Sequence, residues 1–210
     1  MPKATVVELK PRKTPVQERS TASVQAIREA AIQVLLAVGK EQLTTTRVAA
    51  RAGVSVGTLY QYFPNKSSLL QDVLKAHLDR VYGAVEQVCE QAKGRPLAEM
   101  ADALVTEFLR VKMEHAATSR ALYFVNDDVG GMEIARSNMT RGVKAVAAMF
   151  ASSSDPLRID AEVMASTVMA ALAGVSRRML ESGRVSPKMM QAMRTELDVL
   201  ARAYVGACVG

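Results

Sequence analysis

The stretch LTTTRVAARAGVSVGTLYQYFPNKSSLL, Leu43 to Leu70, decides the fold. Thr44, Thr45 and Thr46 offer N-cap hydroxyls to a short helix over 47–52, which Gly53 ends. Val54 reads as a buried turn residue, and Ser55 caps a second short helix over 56–62. That helix must stop near Phe63, because Pro64 disfavours helical geometry in its predecessor. Asn65 is an N-cap for a long helix opening at Lys66 or Ser67, with Leu69, Leu70, Val73 and Leu74 as its apolar stripe. Short helix, glycine turn, short helix is the helix-turn-helix arrangement, in which the first helix braces and the second enters the major groove of DNA. Ala49 is small where the two helices cross, and Val54 and Leu59 point inward. On the outward face Thr58 and Gln61 can hydrogen-bond base edges or phosphates, while Tyr60 and Tyr62 can meet phosphate oxygens or thymine methyls. Helices this short are not stable alone, so flanking helices must hold them.

Working outward, Val24, Ile27, Ala31, Val34, Leu35 and Val38 recur at helical spacing and predict a supporting helix over 23–38, stopped by Gly39. Residues 1–20 hold three prolines and five basic side chains without apolar periodicity, which reads as a flexible basic arm. Downstream, KGRP at 93–96 is a break. Leu97, Met100, Ala101, Leu104, Val105, Phe108 and Val111 then mark a helix ending near His115. A short helix over 122–125 and a longer one over 132–150 follow, separated by NDDVGG, and SSSDP at 152–156 is a loop. The last two helices, 157–182 and 187–207, form a hairpin around Gly183, with Pro187 at a favoured first position. Between Val163 and Val175 apolar residues occur on every side. The last helix has one apolar face through Met189, Met193, Leu197, Leu200 and Tyr204, and a second through Met190, Ala192, Val199 and Ala203. Ordinary surface helices need only one stripe, so this surplus predicts pairing of two chains through 157–207.

The chain has 210 residues, 49% hydrophobic and 23% charged, which excludes a disordered or collagen-like protein. Few glycines and prolines, many Ala and Met, and only 4% aromatics favour an all-α fold over a β-sandwich. The apolar run Val163 to Val175, 13 residues, falls short of the roughly 18 a membrane span needs. The first twenty residues lack a secretory apolar segment, so the expectation is a cytoplasmic protein with no membrane partner. Cys89 and Cys208 stand 119 positions apart without a CxxC, and His77 and His115 fit no HExxH spacing. Neither a disulfide framework nor a metal site is expected, and no cofactor. The net charge of +6 is local: residues 1–80 carry 12 Lys and Arg against 6 Asp and Glu, while 81–210 carry 15 of each. A basic N-terminal part joined to a balanced remainder suits a polyanion-binding module. No GxSxG, GxxxxGK[ST] or GxGxxG occurs, which argues against an enzyme.

Leu43 to Leu70, with its threonine run, AGVS turn, GTLYQYF helix and following Asn-Lys, resembles the DNA-binding signature of TetR-family transcriptional regulators. The resemblance covers about a quarter of the chain; the remaining helices are similar in number, length and order only. It implies an N-terminal helix-turn-helix domain (21–66) behind the arm (1–20) and a helical regulatory domain (67–210) that dimerises through its last two helices. It also implies a repressor that leaves a palindromic double-stranded operator when a small molecule binds. Carried over by position, Thr45, Thr46 and Arg47 fall where the bracing helix touches phosphates, next to the Ser55 cap. Val56, Gly57, Thr58 and Gln61 fall on base-facing positions, and Tyr60, Tyr62 and Lys66 on phosphate-gripping ones. Val56 and Gly57 offer no side-chain hydrogen bond, a departure that throws direct readout onto Thr58, Gln61 and Tyr60. For an unidentified effector, Met100, Phe108, Met113, Tyr123, Phe124, Met139, Met149, Phe150 and Met169 can line an adaptable apolar pocket, with Arg120, Asn126 and Asn138 as polar anchors; ordinary core is the competing role for each. The competing function is a ligand-independent or architectural DNA-binding protein, controlled by protein partners, with a fully packed C-terminal half.

Overall fold

The computed structural model describes residues 18–125, 129–182 and 186–210. Among them every regular element is a helix: α1 (Glu18–Gln42), α2 (Thr45–Ala52), α3 (Val56–Tyr62), α4 (Lys66–Ala92), α5 (Leu97–Glu114), α6 (Ala116–Tyr123), α7 (Gly131–Ala151), α8 (Ala161–Glu181) and α9 (Pro187–Ala207). The fold is all-α, and the one pairing of extended backbone described is an isolated antiparallel bridge, Leu157 to Val209. Most of the expected arm, Asn126 and the turn at Gly183 lie outside the described residues; α1 already begins at Glu18.

Contacts divide the chain into two compact units, Met1–His77 with Ala121–Glu133, and Leu78–Arg120 with Ile134–Gly210. In the first, Val24, Ile27, Ala31, Val34 and Leu35 form the buried stripe of α1, and Leu43, Val48, Ala49, Leu59, Phe63, Leu69 and Leu70 are buried in the same unit. Gly39 interrupts α1 with φ 77° and ψ 171°, a left-handed φ that a side chain would disfavour, so the helical path bends where the sequence placed a stop. The Arg28 guanidinium meets Asp72 through two hydrogen bonds of 2.7 and 3.0 Å, tying α1 to α4. The stretch 20–42 also reaches the length and mean hydropathy, 1.2, of a membrane span, a signal missed by looking only for unbroken apolar runs. Its stripe is covered inside the unit and Arg28 is paired, as in a core helix.

In the second unit α9 lies mainly along α5 and also meets α8. Met100, Leu104, Val105, Phe108, Met149, Phe150, Met164, Val168, Met169 and Leu197 are each at most 1% exposed and belong to one apolar cluster. The α5 N-terminus has no local side-chain cap; Asp155 supplies one from the 152–156 loop, accepting from Leu97 N at 2.7 Å. Cys89 and Cys208 are both buried free thiols.

Four helices depart from their expected bounds: α1 spans Glu18–Gln42 rather than 23–38, α2 opens at Thr45 rather than 47 because Thr44 is its cap, and α6 and α8 differ downstream. The helix expected over 122–125 is α6, which spans Ala116–Tyr123; α5 breaks at His115 (φ −127°, ψ 49°), and Ser119 N returns to the His115 carbonyl at 2.8 Å. No glycine or proline announces that break. The eighth helix opens at Ala161 rather than 157, because Leu157 is in the bridge with Val209 and Arg158 N donates to the Cys208 carbonyl. Asp160 then caps α8, accepting from Glu162 N and Val163 N.

Candidate nucleic-acid interface

α2 and α3 are each closed at the front by a side-chain cap. Thr44 Oγ1 accepts from Arg47 N at 3.2 Å, and Ser55 Oγ accepts from Thr58 N at 3.0 Å. Between the helices Gly53 adopts φ 69°, and its N–H and that of Val54 return to carbonyls of Ala50 and Ala49, which satisfies the end of α2 inside a tight turn. Leu59 is the fully buried residue of α3. Burying one leucine is worth about 1.5–3 kcal/mol, enough to seat a seven-residue helix that could not persist in water.

The positions singled out in the sequence are gathered on this substructure in two environments. Thr46, Arg47, Ser55, Gly57, Tyr60 and Gln61 are exposed; Thr45, Val56, Thr58, Tyr62 and Lys66 are partly buried. Gln61 is exposed and, among the described residues, its side-chain amide has no protein partner, so donor and acceptor are both available to a base edge. Thr58 is less available, since its hydroxyl lies 2.8 Å from Ser55 Oγ. Tyr60 is 40% exposed, and its hydroxyl is held 3.0 Å from Thr45 Oγ1, which aims a ring on α3 from a residue on α2. A side chain at Gly57 would meet only Ser55 Oγ, at 3.7 Å, so packing within the chain does not require glycine there. No acidic residue stands in the first turn of α2, leaving the positive end of its dipole uncompensated beside Thr45 and Thr46.

Two cations turn partly inward. Lys66 Nζ donates to the Lys40 carbonyl at 3.0 Å, and Arg47 Nη1 donates to the Gln42 carbonyl at 2.8 Å, so both satisfy orphan carbonyls at the end of α1. Sequence spacing gives no sign of these ties, because they depend on how the chain turns after Gly39.

The candidate effector residues do not fall in one unit. Met100, Phe108, Phe150 and Met169 lie in the cluster of the second unit, with Met113 and Met139 packed against it. Tyr123 and Phe124 belong to the first unit, where their rings meet edge to face at 5.5 Å and Phe124 is 55% exposed. Asn126 is outside the described residues. The sequence reading passed over Lys112. Its signal was legible: it stands one turn after Phe108 and two after Val105, where the buried stripe of α5 calls for an apolar residue. Among the described residues no three His, Cys, Asp or Glu side chains gather as a metal ion would need.

The family described as bacterial regulatory proteins of the tetR family matches residues 27–73, and that described as tetracyclin repressor-like, C-terminal domain, matches 96–204, more than half of the chain. Among curated proteins the chain is similar to the HTH-type transcriptional repressor KstR2 of Mycolicibacterium smegmatis, 28% identical over 78 residues (37% of this chain, 38% of that protein). It is also similar to the nucleoid occlusion factor SlmA of Pasteurella multocida, 46% identical over 43 residues (19% of this chain, 22% of that protein). The chain thus spans well under half the length of either relative. Among solved structures it shares its fold with a protein from Mesorhizobium loti assigned to the TetR family (TM-score 0.77, 18% identity, 92% of this chain and 100% of that one). A transcriptional regulator from Cytophaga hutchinsonii is similar as well (TM-score 0.72, 16% identity, 90% and 100%). With the helix-turn-helix in place and both halves matched, this chain belongs to the TetR family of transcriptional regulators, DNA-binding proteins rather than enzymes.

Proposed function

We propose that the protein is a homodimeric repressor that grips a palindromic operator through α2 and α3 and releases it when a small molecule binds the C-terminal half. The observation that carries this reading is the pairing of a free, exposed Gln61 amide with a Tyr60 ring oriented by Thr45 on an uncompensated helix end. Gln61 and Thr58, flanked by Val56 and Gly57, read base edges. Thr45, Thr46, Arg47, Tyr60, Tyr62 and Lys66 face phosphates, with Ser55 holding the helix start. The organisation is an arm over 1–20, of which α1 takes the last three residues, a DNA-binding domain over 21–66 and a regulatory domain over 67–210.

Dimerisation through 157–207 is supported by what one chain leaves uncovered. Val163 on α8 is 55% exposed, and Val199 and Leu200 on α9 are 60% and 46% exposed. Exposed Ala170, Gly174, Ala192, Ala203 and Gly206 on the same helices are small enough for close helix approach. The spacing of two recognition helices across such a dimer must match about one turn of DNA, roughly 34 Å, or a multiple.

One observation favours the ligand-independent alternative: Met100, Phe150 and Met169 are at 0% exposure, the burial that ordinary core residues have. Footprinting on the protein's own upstream region, followed by anisotropy titrations at several salt concentrations, tests the main reading. Affinity should fall linearly on a log–log salt plot and should drop for a scrambled site. Equal affinity for both sequences at physiological salt sinks it. A small-molecule screen for operator release then separates the effector reading from its alternative.

A further inference from the structure

Near the end of α5 the second unit carries a cation with no anion. Lys112 is partly buried beside Phe108, which is 1% exposed, and its Nζ lies 5.8 Å from the centroid of that ring. Among the described residues no carboxylate or hydrogen-bond acceptor pairs with it. Glu114, two residues on, is already held by Arg80 at 2.8 Å and Arg110 at 3.5 Å. An aromatic face attracts an ammonium but does not neutralise it, and burial lowers the Lys112 pKa below the ordinary lysine value.

A second buried group is also incomplete. Asn138 on α7 is 5% exposed; its Nδ2 donates to the Ile134 carbonyl at 3.1 Å, which fixes the amide's orientation and leaves Oδ1 buried with no hydrogen-bond partner. A buried acceptor without a donor calls for a missing water or ligand. α4 reaches the sequence neighbours of both groups. Arg80 holds Glu114, two residues after Lys112, and Tyr82, two residues along α4, reaches Met139 Sδ, the residue after Asn138, with its hydroxyl at 3.9 Å. Buried Thr118 and Ser119 add hydroxyls close by in sequence, and Ser119 Oγ donates to the Lys112 carbonyl at 3.1 Å.

We propose that these polar groups anchor the effector, and that the effector is an apolar carboxylic acid that also bears a hydroxyl or amide N–H. The carboxylate pairs with Lys112, the hydroxyl or N–H donates to Asn138 Oδ1, and the apolar body packs among the methionines and Phe108. One ammonium balances one negative charge, which selects a monoanion over a phosphate monoester, whose second charge would stay buried and uncompensated. The inference rests on the small-molecule reading above.

The test uses the full chain, calorimetric titration and thermal melting. The probes are 3-hydroxydecanoate, N-octanoylglycine, plain decanoate, the uncharged 1,3-decanediol and the cationic decylamine. The acids should bind and raise the melting temperature. Lys112→Met should weaken them at least tenfold while Lys112→Arg keeps most of the affinity, and Asn138→Leu should erase the preference for 3-hydroxydecanoate over decanoate. Lys112→Met stays folded because Met matches lysine's length without its charge, and a melting temperature at or above wild type confirms that. Acids that bind wild type and Lys112→Met equally overturn the anion assignment, as does binding of the diol or of cationic amphiphiles in their place; both results leave a small-molecule effector standing. Silence from acidic, neutral and cationic probes alike overturns the anion site, while the operator-release screen decides the effector reading separately.

Discussion

Lys66 Nζ donates to the Lys40 carbonyl, 3.0 Å away, and so joins the start of α4 to the residue just after the Gly39 break in α1. The proposed function also gives the same lysine a phosphate to grip. It therefore has two tasks in the proposed function, and they are separable. Lys66→Met should lower the melting temperature through the lost charged hydrogen bond, by about 1–2 kcal/mol, as well as weaken DNA binding. Lys66→Arg should restore stability more fully than operator affinity. A Lys66→Met protein with wild-type melting would show that the tie contributes nothing.

Gly57 gives the converse case. Its φ is not in the left-handed region, and a Cβ would make only an ordinary contact with Ser55 Oγ at 3.7 Å. Gly57→Ala should therefore leave melting unchanged or raise it, by up to about 1 kcal/mol from helix propensity. If α3 approaches DNA through this position, the same variant should lose operator affinity. Retention of full affinity would mean that the backbone does not come close to DNA there.

Tyr60 and Thr45 should behave as a unit. If Thr45 Oγ1 serves to aim the Tyr60 hydroxyl, Tyr60→Phe and Thr45→Val should each cost about 1 kcal/mol of binding free energy, with the double variant no worse than either single one. Additive losses in anisotropy titrations would assign the two residues independent contacts.

What the sequence made legible, and what it did not, follows from how local each signal is. Caps, glycines and the proline after Phe63 act within a few residues, so α3, the end of α2 and the starts of α4, α5 and α9 fall where they were read, while the threonine run left the start of α2 two residues late. The α5–α6 break at His115 has no such punctuation. The segment 157–160 was read into the helix over 157–182, whereas the partner of Leu157 in the structure is Val209, far away in the chain. On α2 and α3, the buried Leu59 and the exposed Tyr60 and Gln61 were readable. The inward bonds of Lys66, Arg47 and Thr58 were not, since each depends on a neighbour that tertiary folding or a capping turn brings near.

The surplus apolar surface of α8 and α9 also resolves into two parts that sequence could not separate. Leu197 and Val168 are 1% exposed within one chain, so a charge there tests folding. Val199 and Leu200 are exposed. Val199→Glu should leave helicity intact while light scattering falls to the mass of one chain, 22.6 kDa, and operator binding should fall with it. A dimeric Val199→Glu protein would move the pairing surface off this face of α9.

The last expectation concerns pH and needs no ligand. Burial lowers the Lys112 pKa below its ordinary 10.5, so the folded chain holds that proton less tightly than the unfolded one. Between the two values the unfolded state binds more protons, and stability rises with pH. Burial also pushes the Cys89 thiol up to about 12, with Glu90 adding to the effect, and raises Tyr82. Those groups act in the opposite sense, favouring the unfolded state as pH climbs through their unfolded values, and they mask lysine in the wild-type curve alone. They cancel in a difference. Urea unfolding of wild type and Lys112→Met should show the variant more stable at pH 7 and the gap narrowing as pH approaches about 10. A carboxylate ligand would invert this, because pairing raises the lysine pKa and concentrates the benefit at lower pH. A gap independent of pH would mean that the Lys112 charge is already compensated in the folded chain, and the case for an anionic effector would lose its electrostatic basis.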